Sequence, residues 1–600
     1  MDSDVLTREQ AAARLPTPST TDPLWWRSAV IYQVYVRSFA DGSGDGTGDL
    51  AGVRAHLGYL KELGVDAIWF NPWYPSPMAD GGYDVADYRD IHPQFGTLAE
   101  AEALISEALA LGIRTIIDVV PNHISDQHPW FQAALEAGPG SPERERFWFH
   151  PGKGEDGADI PTHWVSSFQG STWTRTTNPD GTPGEWYLHM FTPEQPDLNW
   201  NHPDVRAEHE DILRFWFDRG VAGVRIDSAA LLIKDADLPE VGEKQGPGEH
   251  PTEDRDELHD VYRSWRAVAD SYPGTRVLVG EIWVPDIDRF TAYLRPDEMH
   301  TAFNFDFLAR PWGAASFRDS IEQTLAAHAP VGAPSTWVLS NHDVTRPVTR
   351  YGRQDSAFAF LKKRFGVPTD PQVGSNRARA AAMLVAALPG SLYIYQGDEL
   401  GLPEVEDLPV ELIQDPMHYR SGGIDPGRDG CRVPMPWSGD HPPFGFSPEG
   451  TPTWLPQPAE WGSLTVEAQQ ADPASTLSLY RAALRLRHEL PELGDGPLEW
   501  WDDAVPGHAD VLAFRRGAGF ACLVNTGDTA VPLPTGATVL LSSAPLESTE
   551  SRGDAARRLA LPGDSTAWLR VDVTTASTDA AASDAAMETT PTTEASAPRG

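Results

Sequence analysis

Cysteine is nearly absent: two in 600 residues leave no material for a disulfide framework or a thiolate metal centre. Cys431 and Cys522 stand far apart and without metal-ligand spacing, so one long-range bridge remains possible, but a reduced cytoplasmic protein is the simpler expectation. Long apolar runs are missing as well. No stretch approaches the roughly 20 residues of a membrane span, and Met1–Pro23 carries neither a basic nor an apolar signal segment. A chain without membrane contact, monomeric or dimeric, is expected. Positive charge is scarce too: 47 Lys and Arg against 87 Asp and Glu give a formal net charge of −40, which repels nucleic acid and acidic surfaces. A small neutral partner is indifferent to that field.

What the chain does contain is alternation. The run Ala29–Phe39 reads as a strand, Asp49–Gly64 as a helix with Leu50, Val53, Leu57, Leu60 and Leu63 on one face, and Val65–Phe70 as a second strand. Thr97 with Glu100 forms a capping-box pattern that opens a helix ending at Gly112, ahead of a third strand, Ile113–Asp118. After an irregular segment rich in Trp, Phe, Gly and Pro, the alternation resumes. A helix over Val205–Arg219 leads into the strand of Asp227, and a helix over Leu258–Ala269 leads into Arg276–Glu281. Three further strands read at Thr301–Phe307, Ser335–Ser340 and Ser391–Gln396. Eight strands in this pattern predict an α/β fold, a (β/α)8 TIM barrel, with an insertion after strand 3. Beyond Pro506 the helices give way to short strands, which predicts a C-terminal antiparallel β domain.

The expected division is a flexible tail over 1–22, a barrel over 23–121 and 201–504, an inserted domain over 122–200, and a β domain over 505–573. The Ala, Thr and Ser-rich stretch 574–600 is expected to be disordered.

Acids gather at the strand ends. Asp118 ends strand 3, Asp227 strand 4 and Glu281 strand 5, while Asp343 follows strand 7, and a parallel barrel does its chemistry at that rim. Each alone is compatible with a capping or loop-stabilising carboxylate. Four, with His123 and His342 alongside, are harder to assign to structure.

The blocks that contain these residues resemble the α-amylase superfamily, glycoside hydrolase family 13, and within it the α-glucosidase and oligo-1,6-glucosidase group. The resemblance runs from about Trp25 to about Val573. It is carried by Asp118–His123, Gly223–Asp227, Gly280–Trp283, Asn341–Asp343 and Gln195–Trp200, in the family's order. It implies a retaining, exo-acting α-glucosidase in which Asp227 is the nucleophile, Glu281 the acid and base, and Asp343 a hydroxyl-binding third acid. It also implies a glucose pocket formed by Asp80, Tyr83, His123, Phe168, Phe191, Gln195, Arg225, His342 and Arg428. The loop Asp41–Asp49 lacks the Glu an EF-hand needs at its twelfth position, which is Gly52. The resemblance instead implies a structural Ca2+ or Mg2+ there, on Asp41, Ser43, Asp45, the Thr47 carbonyl and Asp49.

In the group that the chain resembles, Val after the nucleophile goes with α-1,6 substrates and smaller residues with α-1,4, so the resemblance and Ser228 together imply α-1,4-linked, maltose-like saccharides. Oligo-1,6-glucosidase specificity, a transglucosidase or isomerase of the trehalose synthase or sucrose isomerase type, and a catalytically silent sugar-binding relative are the alternatives.

Overall fold

A computed structural model describes residues 22–178, 180–242, 246, 248–550 and 557–571. The tail expected over 574–600, and all but Asp22 of the tail expected over 1–22, lie outside the described residues.

Eight parallel strands form one sheet. Its first three are β1 (Val30–Val34), β2 (Ala67–Phe70) and β3 (Arg114–Val119). Strands β4 (Phe149–His150), β5 (Trp173–Thr177) and β6 (Pro183–Leu188) belong to the inserted segment and make a separate three-stranded antiparallel sheet. The parallel series continues with β7 (Gly223–Ile226), β8 (Val277–Gly280), β9 (Thr301–Ala302), β10 (Thr336–Val338) and β11 (Ser391–Tyr395). The pairing order β10-β11-β1-β2-β3-β7-β8-β9 runs almost full circle. The two end strands meet where the Asn304 N–H donates to the Thr336 carbonyl at 3.1 Å. The result is a TIM barrel, with apolar strand residues buried on both faces as a parallel sheet requires.

Local chemistry explains the elements. Thr97 and Glu100 make the reciprocal capping box at the start of Leu98–Ala110. Gly64 ends Leu57–Leu63 at φ 96°, a left-handed conformation that glycine adopts without a Cβ clash. Proline occupies the first turn of Pro129–Ala137, Pro203–Asp218 and Pro371–Ala387, where its missing N–H is not needed.

Three sequence expectations are corrected. The helix read across Asp49–Gly64 is two, Leu50–Ala55 and Leu57–Leu63, broken at His56. The first strand stops at Val34, and Val36–Ser38 is a 3-10 turn. The strand read over Thr301–Phe307 ends at Ala302, because the Asn304 side chain accepts from the Phe307 N–H and caps a short helix, Phe305–Ala309.

The C-terminal strands Val511–Arg516, Phe520–Asn525 and Ser565–Arg570 pair antiparallel within a five-stranded sheet. That sheet is anchored to the barrel: Trp568 Nε1 donates to the Met383 carbonyl and Thr566 Oγ1 to the Ala380 carbonyl, both on the helix Pro371–Ala387.

Candidate active site

The carboxyl ends of β3, β7 and β8 deliver Asp118, Asp227 and Glu281 to one guanidinium. Arg225 Nη1 lies 2.7 Å from Asp118 and 2.8 Å from Asp227, and Nη2 lies 2.7 Å from Glu281. Strand alternation explains it: Arg225 and Asp227 are two apart, so both side chains point into the barrel. Burial pushes the Asp118 carboxyl up to about 7, against the opposing Arg225 charge. Burial likewise raises Asp227, again opposed by Arg225 and reinforced by Glu281 and Asp118. Asp118 and Asp227 are thus both pushed toward the protonated form, with the shared Arg225 charge opposing.

Glu281 is held from two further sides. The Ser228 N–H donates to Oε2 at 2.9 Å and Trp283 Nε1 donates to Oε1 at 3.1 Å. Ser228 itself has φ 45°, a left-handed conformation uncommon for a serine, which lets the backbone turn sharply after Asp227.

A second buried cluster closes one end of the cavity. Arg428 Nη2 lies 2.6 Å from Asp80, Nη1 lies 3.1 Å from Asp343, and Nε lies 2.7 Å from Asp415. Arg432 adds a contact of 3.0 Å to Asp343. Burial by itself raises Asp343, but the surrounding groups hold the carboxyl well below its usual range. The neighbouring His342, whose Nε2 lies 3.4 Å from the carboxylate, contributes most to that lowering, followed by the guanidinium groups of Arg428, Arg432 and Arg225. Burial raises Asp80, with Arg428 opposing.

Between these clusters lies a cavity of about 400 Å3 whose wall includes Asp80, Tyr83, His123, Phe168, Phe191 and His342. Asp227, Ser228, Glu281, Asp343 and Arg428 also face it. Tyr83 stacks on His342 with ring centroids 5.3 Å apart and planes 5° apart. Phe168 meets Phe191 edge to face at 5.2 Å, and the Arg428 guanidinium lies over Phe168 at 4.8 Å. Burial lowers His123 to about 3, so this imidazole is neutral at physiological pH. Trp283, bonded to Glu281, and Phe360, edge to face with Trp283, line the cavity together with Leu361 and Met417.

Gln195 and Arg225, which the resemblance places in the glucose pocket, are not among the residues that line the cavity, and Arg225 also contacts Asp227, whose charge the sequence expects it to support. Gln195 is fully buried and donates to Asp80 Oδ2 at 3.1 Å while its own oxygen accepts from Thr192. Arg225, 1% exposed, is occupied by the three carboxyls.

Sequence reading also missed partners. Asp415 and Arg432 complete the Arg428 cluster; Arg432 belongs to the same block, Gly427–Arg432, whereas Asp415 shows in the sequence only as a helix cap before Pro416. Gln33, on β1, donates from Nε2 to His342 Nδ1 at 2.8 Å, which leaves the His342 Nε2–H facing Asp343. Buried Lys234 pairs with Asp197 at 2.7 Å and with the Asn122 side chain, tying the loop after β3 to the end of the inserted segment.

In the loop after β1, Asp41 accepts N–H groups from Gly44, Asp45 and Gly46 and a hydroxyl from Ser447. Asp49 accepts from Gly42, Ser43 and Gly52, and Asp45 from Thr47. The oxygen donors suit a hard cation, and an oxygen that accepts an N–H keeps a lone pair. Among the described residues, however, no three His, Cys, Asp or Glu side chains are grouped to hold a metal ion.

Comparison with known proteins decides the family. Residues 33–496 match the family described as alpha amylase, catalytic domain. The chain belongs to that family, glycoside hydrolase family 13. Similar family members include a "Probable alpha-glucosidase" of Rhizobium meliloti (strain 1021), 37% identical over 530 residues, covering 84% of this chain and 90% of the relative. An oligo-1,6-glucosidase of Parageobacillus thermoglucosidasius is 34% identical, covering 80% of this chain and 87% of that enzyme. Among solved structures, the alpha-glucosyl transfer enzyme XgtA superposes with a TM-score of 0.76 at 34% identity, covering 91% of this chain and 99% of XgtA. The chain is a glycoside hydrolase of the glucosidase type. Within it, no helix is long and apolar enough to cross a membrane, among the described residues.

Proposed function

We propose that the chain is a retaining, exo-acting α-glucosidase that removes the terminal non-reducing glucose from short, neutral, α-1,4-linked saccharides. The observation that carries this reading is the pair of arginine clusters. Arg428 ties Asp80 to Asp343 and closes one end of the cavity, so a single terminal sugar fits with its bond presented to Asp227 and Glu281.

An Asp227 carboxylate oxygen attacks the anomeric carbon, the glycosidic C–O bond breaks, and Glu281 gives its proton to the departing oxygen. Water, deprotonated by Glu281, then attacks the same carbon and releases glucose with Asp227 restored. A shared Arg225 keeps the two carboxyls together, as the retaining geometry of roughly 5–5.5 Å separation requires. Proton NMR of the hydrolysis of an aryl α-glucoside, whose leaving group is not a sugar, tests it: the first-formed glucose must be the α-anomer, and first-formed β-glucose would sink the mechanism. Initial rates on maltose, isomaltose, sucrose and trehalose test the linkage, and a strong isomaltose preference would reject the α-1,4 assignment.

Transfer of glucose to a sugar acceptor is the second reading, favoured by Trp283, bonded to Glu281, and by Phe360 and Leu361, which line the cavity with it. Products at high maltose concentration separate transfer from hydrolysis. Our proposal includes a reducing, cytoplasmic setting, supported by Cys431 and Cys522 being free and buried, and a structural Ca2+ or Mg2+ in the loop Asp41–Asp49. Chelation followed by metal analysis and a thermal melt tests the cation; an unchanged melt with no metal released would remove it.

A further inference from the structure

The two arginine clusters are joined by a buried chain of hydrogen bonds. Gln33 Nε2 donates to Asn71 Oδ1 at 2.9 Å and faces His342 Nδ1 at 2.8 Å. Asn71 Nδ2 donates to the Tyr83 hydroxyl at 2.8 Å, and that hydroxyl donates to Asp118 Oδ2 at 3.0 Å. At the other end His342 Nε2 lies 3.4 Å from Asp343 Oδ2. Four barrel strands contribute: Gln33 is on β1, Asn71 follows β2, Asp118 is on β3 and His342 follows β10. Gln33 and Asn71 are each 1% exposed, and neither lines the reaction cavity.

Such a chain has two directions. A side-chain amide presents an oxygen on one side and an NH2 on the other, a phenol carries one proton, and a neutral imidazole carries one proton on one of its two nitrogens. Burial keeps His342 neutral. With Gln33 donating to Nδ1, the ring proton is on Nε2 and points at Asp343; Asn71 accepts from Gln33 and donates to Tyr83, whose own proton goes to Asp118. Turning the Gln33 amide over reverses every bond. A bare Nε2 then faces Asp343, and a phenol oxygen that has given its proton to Asn71 faces Asp118. The Asp343 end decides between the two directions. Arg428 and Arg432 contact Asp343 Oδ1 at 3.1 and 3.0 Å, which keeps the carboxyl ionised, so its Oδ2 can only accept.

We propose that Gln33 and Asn71 are positioning residues: they carry the direction set at Asp343 across the site, so that Tyr83 gives its proton to Asp118 Oδ2 and Asp118 Oδ1 is left to the Arg225 guanidinium. The catalytic effect rests on the glucosidase reading, whereas the direction of the chain is tested without it. In 15N NMR of the histidine rings, with His342 assigned by its loss in His342→Gln, wild type should show Nε2 protonated and Nδ1 bare; the opposite tautomer overturns the proposal. Asp343→Asn should place its amide nitrogen opposite His342 Nε2, because the two arginines keep the oxygen, and so reverse the chain. In 13C NMR of the tyrosine Cζ atoms, with Tyr83 assigned by Tyr83→Phe, the Tyr83 signal should then shift. The same substitution made on top of Gln33→Met should leave that signal unmoved. A Tyr83 signal that ignores Asp343→Asn, or follows it equally in the Gln33→Met background, overturns the coupling. Should Gln33→Met not fold, Asn71→Leu breaks the chain at its next link and takes its place. Each of these two variants should lower kcat/KM for an aryl α-glucoside about tenfold, the worth of one hydrogen bond to a charged group, and together they should lower it no further. Losses that multiply overturn the proposal. A wild type inactive on that glucoside refutes the glucosidase reading instead, and the NMR outcomes still decide the chain.

Discussion

Replacing Arg225 by lysine probes the centre of the site. Its guanidinium contacts Asp118, Asp227 and Glu281 at 2.7–2.8 Å through two nitrogens, a planar fork that one ammonium on a shorter reach cannot reproduce. Loss of one charge-assisted hydrogen bond corresponds to ~1.5–3 kcal/mol. At about 1.4 kcal/mol per factor of ten, kcat should fall by between about tenfold and about 150-fold. KM should stay within about twofold, because Arg225 is not among the residues lining the cavity and its guanidinium is held by three carboxyls. Steady-state kinetics on aryl α-glucosides with leaving groups of graded acidity measure both effects. A misplaced Glu281 should also make the rate depend more steeply on leaving-group acidity. A raised KM with unchanged kcat would refute the reasoning and make Arg225 a substrate ligand. Arg225→Met removes the shared cation altogether, and breaking such a buried pair should lower stability by about 3–5 kcal/mol.

Other outcomes follow from the same geometry. Asp227→Asn should reduce turnover of an aryl α-glucoside by a factor on the order of 10^4 while the protein melts normally; unchanged activity would remove Asp227 as nucleophile. Ser228→Val should raise the isomaltose-to-maltose ratio of kcat/KM, since the side chain lines the cavity beside Glu281, and an unmoved ratio would separate Ser228 from specificity. Acid should destabilise the fold between pH 6.5 and about 4. Burial lowers His123 and His300 to about 3 and His128, His189, His209 and His328 to about 4, so below pH 6.5 the unfolded chain takes up protons that the native chain refuses. Their contribution is complete above pH 6.5 and is lost as pH falls. Burial raises Asp118 to about 7, Asp84 and Asp398 to about 6, and Asp227 as well. These act in the opposite sense, their contribution being lost as pH rises from about 4, but the six histidine shifts are larger together than those of Asp118, Asp84 and Asp398. A melting temperature that does not fall from pH 6.5 to 4 would contradict this.

Much of the barrel was legible because its signals are local. Periodic Leu50, Leu57 and Leu60, the Thr97 cap and the apolar strands before Asp118, Asp227 and Glu281 each act within a few residues. Where the reading failed, a local competitor won: Asn304 caps a helix inside a stretch whose aromatic residues suit a strand. The recurring acids at strand ends likewise pointed to one rim, because strand alternation fixes which side chains enter a barrel.

The sequence by itself determined which groups are available and at which end of the barrel they emerge. Only the tertiary structure decided how they are shared. Arg428 and Asp80 are 348 positions apart, Gln33 and His342 309, and Arg225 and Asp118 107, and their distances of 2.6–2.8 Å exist only once the strands close on one another. Whether Gln195 and Arg225 touch sugar or support the residues that do is decided the same way. Burial and hydrogen-bond saturation depend on every neighbour in space, and chain order names only the nearest along the backbone.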